Sequence, residues 1–419
     1  MTQAEDLGTI AVIGLGYIGL PTAVILASRG VQVIGVDVNP VTVDFVSRGE
    51  LPFYEPDLAT SLSGVVARGK LTATCETPVA DAYVIAVPTP ITPEEAADLS
   101  CVHAAADALA PQLRPGAIVV LESTSPPGTT EALSRALADA RPDLSFPHDA
   151  NDEPDVYVAH CPERVLPGRL MIEMIENNRL IGGLTPECAE KAADIYRLFS
   201  HGEIQLTDAS SAEMAKLAEN SFRDVNIAFA NELSMICDKL ELDVWDIIRM
   251  ANRHPRVQIL EPGPGVGGHC IAVDPWFVVG SAPEESVLIR AARTVNNSKP
   301  QHVLCQVLRT AGRFKDPVIA CLGLSYKANV DDVRESPAVE IVAALAEELP
   351  STTIMACDPM LTRLPAALDA LSNVTFGKVH EVVAAADIVL LLVDHNAFRR
   401  LPRKVLDGKV VHDTRGIWR

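Results

Sequence analysis

The sequence predicts an α/β protein: two doubly wound parallel-sheet domains joined by a central helical domain. Three observations predict it. Short apolar, β-branched runs alternate with helical stretches through the first 205 residues, the pattern of a parallel sheet covered by helices on both faces. From about 210 to 250 Gly and Pro almost disappear and apolar residues recur at helical spacing. Beyond about 312 the strand signals return. The expected domains are therefore 1–205, 206–312 and 313–419. A chain of 419 residues has room for them, at roughly 100–200 residues per domain.

In order, the first strands are expected at Thr9–Ile13, Gln32–Val36, Tyr83–Val87, Ala117–Leu121 and Val156–Ala159. In the middle region Phe222, Val225, Phe229, Leu233, Ile236 and Leu240 follow one another at spacings of 3, 4, 4, 3 and 4, which is a helix stripe. Periodicity alone leaves open whether it packs into a core or into a dimer interface. A Gly/Pro-rich segment runs from Glu261 to Cys270, and a second helical stretch from about Glu284 to Gly312. The last strands are expected at Val318–Leu322, Thr353–Ala356, Ile388–Val393 and Val410–His412.

Composition narrows the function classes. The 35 basic and 55 acidic side chains leave a net charge of −20. That excess argues against a nucleic-acid binder, which needs a basic footprint, and against adhesion to anionic membranes. Attraction for an anionic ligand would have to be local. Three clusters are candidates for it: Arg249, Arg253 and Arg256; Arg290, Arg293 and Lys299; and Arg399, Arg400, Arg403 and Lys404. No apolar run approaches the roughly 18 residues of a transmembrane helix. The N-terminus lacks the pattern of a signal peptide, so a cytoplasmic location is expected. The nine cysteines form no CxxC pair, so neither a disulfide framework nor a bound metal is expected.

Ile10-Ala-Val-Ile-Gly14-Leu-Gly16-Tyr17-Ile18-Gly19 reads as a strand followed by GxGxxG and a helix. This is the dinucleotide turn of a Rossmann-like domain: Gly14 permits the tight turn, Gly16 lets backbone approach a pyrophosphate, and Gly19 lets helix and strand pack. The helix N-terminus adds N–H donors and a positive dipole. Asp37 ends the next strand, 37 − 19 = 18 residues after the third glycine. It is placed to accept from a ribose 2′-hydroxyl and to repel a 2′-phosphate, which favours NAD over NADP. Pro88, Thr89 and Thr124 follow strands, where such sheets bind ligands; alone, they would also suit ordinary turns.

Gly263-Pro-Gly265-Val-Gly267-Gly268-His269-Cys270 brings four glycines up to one cysteine. Glycines let backbone lie against a ligand, and a cysteine ending such a loop is a candidate nucleophile, although a structural cysteine fits the same pattern. Asp274 follows, suited to orient water or the thiol or to shape the turn. Lys216 and Asn220 are four apart, one turn of helix. Aimed at one point they would stabilise an oxyanion; otherwise they are surface residues.

Together these motifs resemble the UDP-sugar 6-dehydrogenase family. Those that carry the resemblance are Gly14–Pro21, Pro88-Thr-Pro90, Glu122-Ser-Thr124, Cys161-Pro-Glu163-Arg164-Val165-Leu-Pro-Gly168, Lys216–Asn220, Gly263–Cys270 and Leu322-Gly-Leu-Ser-Tyr-Lys327 with Asp331 and Arg334. They span nearly the whole chain. The resemblance implies oxidation of a 6-hydroxyl to a carboxylate with two NAD⁺, through a thiohemiacetal and a thioester on Cys270. It implies that Lys216 and Asn220 stabilise the oxyanion. It further implies that Asp274 assists water, thiol or proton transfer, that Glu163 acts near the reacting carbon, and that Thr124 sits by water and nicotinamide. Tyr17, Ile18, Pro88, Thr89 and Arg334 match cofactor contacts. Arg164, Val165, Gly263, Gly267, Lys327 and Arg415 match substrate contacts, and Arg256 matches one supplied by a neighbouring subunit. A homodimer through the middle helices is implied too.

Arg164-Val-Leu-Pro167, Ser221–Leu233 and Gly267–Phe277 resemble members that act on UDP-N-acetylmannosamine, in surface polysaccharide precursor synthesis, rather than on UDP-glucose. Pro167 stands where the glucose enzymes carry a second acid, so that role is not carried over. UDP-N-acetylglucosamine and UDP-glucose remain alternative substrates. Two other readings stand beside this one. A two-electron β-hydroxyacid-type dehydrogenase shares the first domain and the Lys-x-x-x-Asn pair. A silent nucleotide-binding regulator would share the folds without turnover.

Overall fold

The computed structural model describes every residue except 1–6, 54, 56, 149–152, 166–168 and 269. Pro167, which stands where the glucose enzymes carry an acid, and His269 of the cysteine loop therefore lie outside the described residues. The chain forms two compact units, Met1–Glu219 with Trp276–Ser281, and Asn220–Pro275 with Ala282–Arg419.

Unit 1 is built on an eight-stranded sheet: β1 (Thr9–Ile13), β2 (Gln32–Val36), β3 (Leu71–Thr74), β4 (Ala82–Ile85), β5 (Ala117–Leu121), β6 (Val156–His160), β7 (Arg179–Gly183) and β8 (Ile204–Asp208). Their order is β3-β2-β1-β4-β5-β6-β7-β8, parallel except where β7 runs antiparallel to β6. β4, β5 and β6 are buried along their whole length, as expected of strands covered on both faces. The strand order reverses between β1 and β4, so the loops after these strands form the crevice where doubly wound sheets bind ligands. The strand expected at Tyr83–Val87 is displaced to Ala82–Ile85, because Val87 and Pro88 already belong to the loop.

Unit 2 holds a five-stranded parallel sheet: β9 (Val318–Leu322), β10 (Thr353–Cys357), β11 (Val374–Phe376), β12 (Ile388–Leu391) and β13 (Val410–Asp413). Its order, β11-β10-β9-β12-β13, again reverses beside the first strand. The helical stretch read at 210–250 is two helices, Ala209–Leu240 and Val244–Ala251. The break falls at Glu241, which takes φ +55°, and Asp243 then caps the second helix by accepting from the Trp245 and Asp246 N–H groups. The helix Val287–Ala311 runs through Pro300.

Two readings are resolved here. Phe222, Phe229, Ile236 and Leu240 are exposed, Phe222 at 73%, while Leu233 packs against Cys237, Val244 and Ile248, so the stripe is only partly core within the chain. Arg293 and Lys299 do not form a solvent-facing anion trap. They are buried, because Arg293 pairs with Asp224 at 2.7 Å and Lys299 donates to Ser234 Oγ at 2.6 Å. No described helix is long and apolar enough to cross a membrane. Among the described residues no His/Cys/Asp/Glu group could hold a metal ion.

Candidate functional site

In unit 1 the first glycine-rich turn joins β1 to the helix Gly19–Ser28. Gly14 takes φ +95°, and its N–H donates to the Val36 carbonyl at 2.8 Å. A Cβ on Gly14 would stand 2.5 Å from the Ala86 carbonyl, and one on Gly19 would strike the Gly14 carbonyl. A Cβ on Gly16 would meet nothing within 4 Å, so the turn is closed toward the protein and open at its middle glycine, the side a pyrophosphate must approach. Asp37 holds the turn as well as facing it: its carboxylate accepts from the Leu15 and Asn39 N–H groups, both at 2.9 Å. Tyr17 stacks on Phe53 at 4.2 Å between ring centroids, and Ile18 is the residue before the helix. The arrangement fits a dinucleotide.

The loops after β4 and β5 are tied together. Thr89 Oγ1 donates to the Thr124 carbonyl at 2.7 Å, and Ser123 Oγ to the Val87 carbonyl at 2.7 Å. This fixes Thr124, which is half-buried, beside exposed Pro88. Below them Glu122 is buried, accepting from Tyr196 Oη at 2.7 Å and Thr22 Oγ1 at 3.1 Å. Burial, then the nearby Glu163, pushes its pKa up to about 7. Glu163 lies in the loop after β6, 8% exposed, with Oε1 accepting from the Arg164 N–H at 2.6 Å and Oε2 3.3 Å from Arg179 Nη1. Arg164 is engaged by Glu219 at 2.5 Å, and Val165 packs against the unit's core. Lys216 is half-buried on the long helix.

In unit 2 Asn220 Nδ2 donates to Asp274 Oδ2 at 2.5 Å. Asp274 is buried, and its own N–H donates to the Cys270 carbonyl at 2.8 Å. Cys270 is exposed, in the turn that opens the helix Asp274–Ser281. The glycines before it have no room for side chains. A Cβ on Gly267 would strike the Glu335 carbonyl, and one on Gly268, at φ +84°, would stand 2.8 Å from the Tyr326 ring. Arg415 Nη1 reaches the Pro262 carbonyl at 3.4 Å and occupies the space a Cβ on Gly263 would need, while its Nε pairs with Asp394 at 3.1 Å. The structure does not draw three other cations into such a cluster: Arg256 is exposed after Val244–Ala251, Lys327 is exposed after β9, and Arg334 is exposed and paired with Asp332 at 2.6 Å.

Two residues beside these groups escaped the sequence reading. Glu213, 1% exposed, accepts from Gly128 N–H, Thr130 N–H and Thr130 Oγ1 at 2.6–2.7 Å, capping the helix that follows the Thr124 loop. Asn231, fully buried, accepts from the Gly263 N–H at 2.9 Å. Neither has a local signal, because both partners are remote in sequence.

Residues 8–200 match the NAD binding domain of the UDP-glucose/GDP-mannose dehydrogenase family, residues 210–298 its central domain, and residues 320–419 its UDP binding domain. An NDP-N-acetyl-D-galactosaminuronic acid dehydrogenase of Ralstonia nicotianae is 56% identical, over 99% of this chain and 97% of that protein. A UDP-N-acetyl-D-mannosamine dehydrogenase of Salmonella typhi is 51% identical, over 98% and 99%. Among solved structures, a UDP-D-ManNAc dehydrogenase of Pyrococcus horikoshii superposes with a TM-score of 0.87 at 36% identity, over 98% and 96%. With the dinucleotide turn, the cysteine loop and matches along nearly the whole length, the chain belongs to the UDP-glucose/GDP-mannose dehydrogenase family of NAD-dependent oxidoreductases.

Proposed function

We propose that the protein oxidises C6 of UDP-N-acetyl-D-mannosamine to the uronate. The balanced reaction is RCH₂OH + 2 NAD⁺ + H₂O → RCOO⁻ + 2 NADH + 3 H⁺. The observation that carries the proposal is the packed glycine loop ending in an exposed Cys270, with Asp274 held by Asn220 at 2.5 Å. When bound, NAD⁺ accepts a hydride from the substrate carbon. The turn Gly14–Gly19 holds the pyrophosphate, with Tyr17 and Ile18 at its edge. Asp37 takes the ribose hydroxyl, and Pro88, Thr89, Thr124 and Arg334 complete the cofactor contacts.

Cys270 attacks the aldehyde, and its S–C bond makes a thiohemiacetal. Loss of a second hydride, to a second NAD⁺, gives a thioester, which water cleaves to the carboxylate and the free thiol. Lys216 and Asn220 stabilise the oxyanion formed at each addition. Asp274 and Glu163 orient water and carry protons. Gly263, Gly267, Lys327 and Arg415 bind the UDP-sugar, with Arg164 and Val165 at its sugar end. Guanidinium suits a pyrophosphate through its paired donors.

The 51% identity to a UDP-N-acetyl-D-mannosamine dehydrogenase supports the substrate. The 56% identity to an NDP-N-acetyl-D-galactosaminuronic acid dehydrogenase favours a second reading, a galacto-configured N-acetyl sugar. Both substrates carry a 2-acetamido group and differ only in configuration at C2 and C4, so discrimination rests on few contacts. Rates with the UDP derivatives of N-acetylmannosamine, N-acetylglucosamine, N-acetylgalactosamine and glucose decide: the first is expected to be fastest, and UDP-glucose turned over equally well overturns the proposal.

We read 1–205 as the cofactor region, 206–312 as the pairing helices and 313–419 as the UDP region of a cytoplasmic homodimer that serves surface polysaccharide synthesis. The exposed Phe222, Phe229 and Ile236 recur every seven residues, a seam for a second copy, which would bring Arg256 to its neighbour's substrate. Light scattering should give twice the chain mass of 44.9 kDa; a monomer would exclude the pairing.

A further inference from the structure

The cysteine loop is fastened to the long helix at two places. At its end Asn220 donates to Asp274. At its start the Gly263 N–H donates to Asn231 Oδ1 at 2.9 Å. The two asparagines are 231 − 220 = 11 positions apart, three turns at about 3.6 residues per turn, so both project from one face. The loop between them contains Cys270.

The polarity of the Gly263–Asn231 bond is set by the residues behind Asn231. Asp224 is fully buried and pairs with Arg293 Nη1 at 2.7 Å. A carboxylate and a carbonyl only accept. Asn296 therefore turns its amide nitrogen to the Asp224 carboxylate, at 2.8 Å, and to the Asp224 carbonyl, at 3.1 Å. Its oxygen is left facing Asn231, which must donate to it, at 2.9 Å. That orients the Asn231 amide so that its oxygen receives Gly263. The relay runs Arg293, Asp224, Asn296, Asn231, Gly263, and all four side chains are at most 2% exposed. Ser234 braces the same turn of helix, donating to the Asn231 main-chain carbonyl at 2.6 Å while accepting from Lys299.

We propose that Asn231 is a positioning residue for the nucleophile: through the amide relay from Asp224 it fixes the entrance of the Gly263–Cys270 loop and thereby the attacking distance of the thiol. The inference rests on the reading of Cys270 as nucleophile. A misplacement of about 1 Å at such a group can cost roughly a hundredfold in rate.

Asn231→Asp keeps the shape but sets an acceptor against the Asn296 oxygen. Asn231→Leu keeps the volume and removes both bonds. Expected for Asn231→Asp is a kcat at least tenfold lower with the KM for NAD⁺ within twofold of wild type. Amide exchange should be faster in peptides covering 261–270 and unchanged in those covering β9. Asn231→Leu should show the same pattern, and if it exchanges faster everywhere, Asn231→Asp alone decides. Unchanged exchange at 261–270, or faster exchange there with wild-type kcat, overturns the proposal. If the wild-type protein oxidises no UDP-sugar, the functional reading fails, while the exchange comparison still decides whether Asn231 braces the loop.

Discussion

Replacing Glu122 by Gln should change how the stability of the chain depends on pH. Glu122 is 2% exposed and lies near the buried Glu163 and Arg179. Arg179 pairs with Glu163 at 3.3 Å. Glu122 accepts instead from the Tyr196 and Thr22 hydroxyls. Burial first, and the Glu163 charge second, raise its pKa from 4.5 to about 7. A carboxyl whose folded pKa is raised adds stability that is complete below the unfolded pKa and is lost as pH rises through the folded one. A displacement from 4.5 to about 7 corresponds to about 3 kcal/mol. Gln keeps an acceptor and a donor but does not titrate. Urea unfolding of wild type and Glu122→Gln at pH 5, 6, 7 and 8 should therefore show the variant gaining roughly 2–3 kcal/mol on wild type across the series. A difference constant with pH would refute the assignment of Glu122 as a buried acid that keeps its proton near neutrality.

Asp37→Ser should raise the KM for NAD⁺ at least tenfold and narrow the preference over NADP⁺, because it removes both the ribose acceptor and the brace on the Leu15 and Asn39 N–H groups; steady-state kinetics with both cofactors check it. Glu213→Ala strands three donors, the two on Thr130 buried and the Gly128 N–H half-buried, at the start of Thr129–Ala140 and should cost about 2–4 kcal/mol in unfolding free energy, with Glu213→Gln costing less.

Unbroken apolar runs were the readable part of the fold. β1, β2, β5 and β9 fall where the sequence puts them, because strands buried on both faces advertise themselves. β3 and β8 are half-exposed edge-type segments with polar residues, and β7 contains Arg179 and two glycines, so periodicity missed them. The glycine turn and Asp37 were legible because spacing fixes their geometry, whereas the hydrogen bond of Asn220 to Asp274 spans 54 residues and had no such signal. The burial of Arg293 was not legible either: its acid-free surroundings in sequence suggested a solvent-facing cluster, whereas Asp224 lies 69 residues away. Asn231 carried no signal for the same reason, since a side chain that bonds a backbone N–H across 32 residues looks like any helix polar residue.

The central claim is a four-electron oxidation through Cys270. The direct measurement is NADH formed per uronate, with limiting UDP-N-acetyl-D-mannosamine and excess NAD⁺, for wild type and Cys270→Ala. Two NADH per uronate for wild type, with no uronate from the variant, is the predicted result. One NADH per substrate consumed with a product at the aldehyde level, or uronate from Cys270→Ala at the wild-type rate, would contradict it.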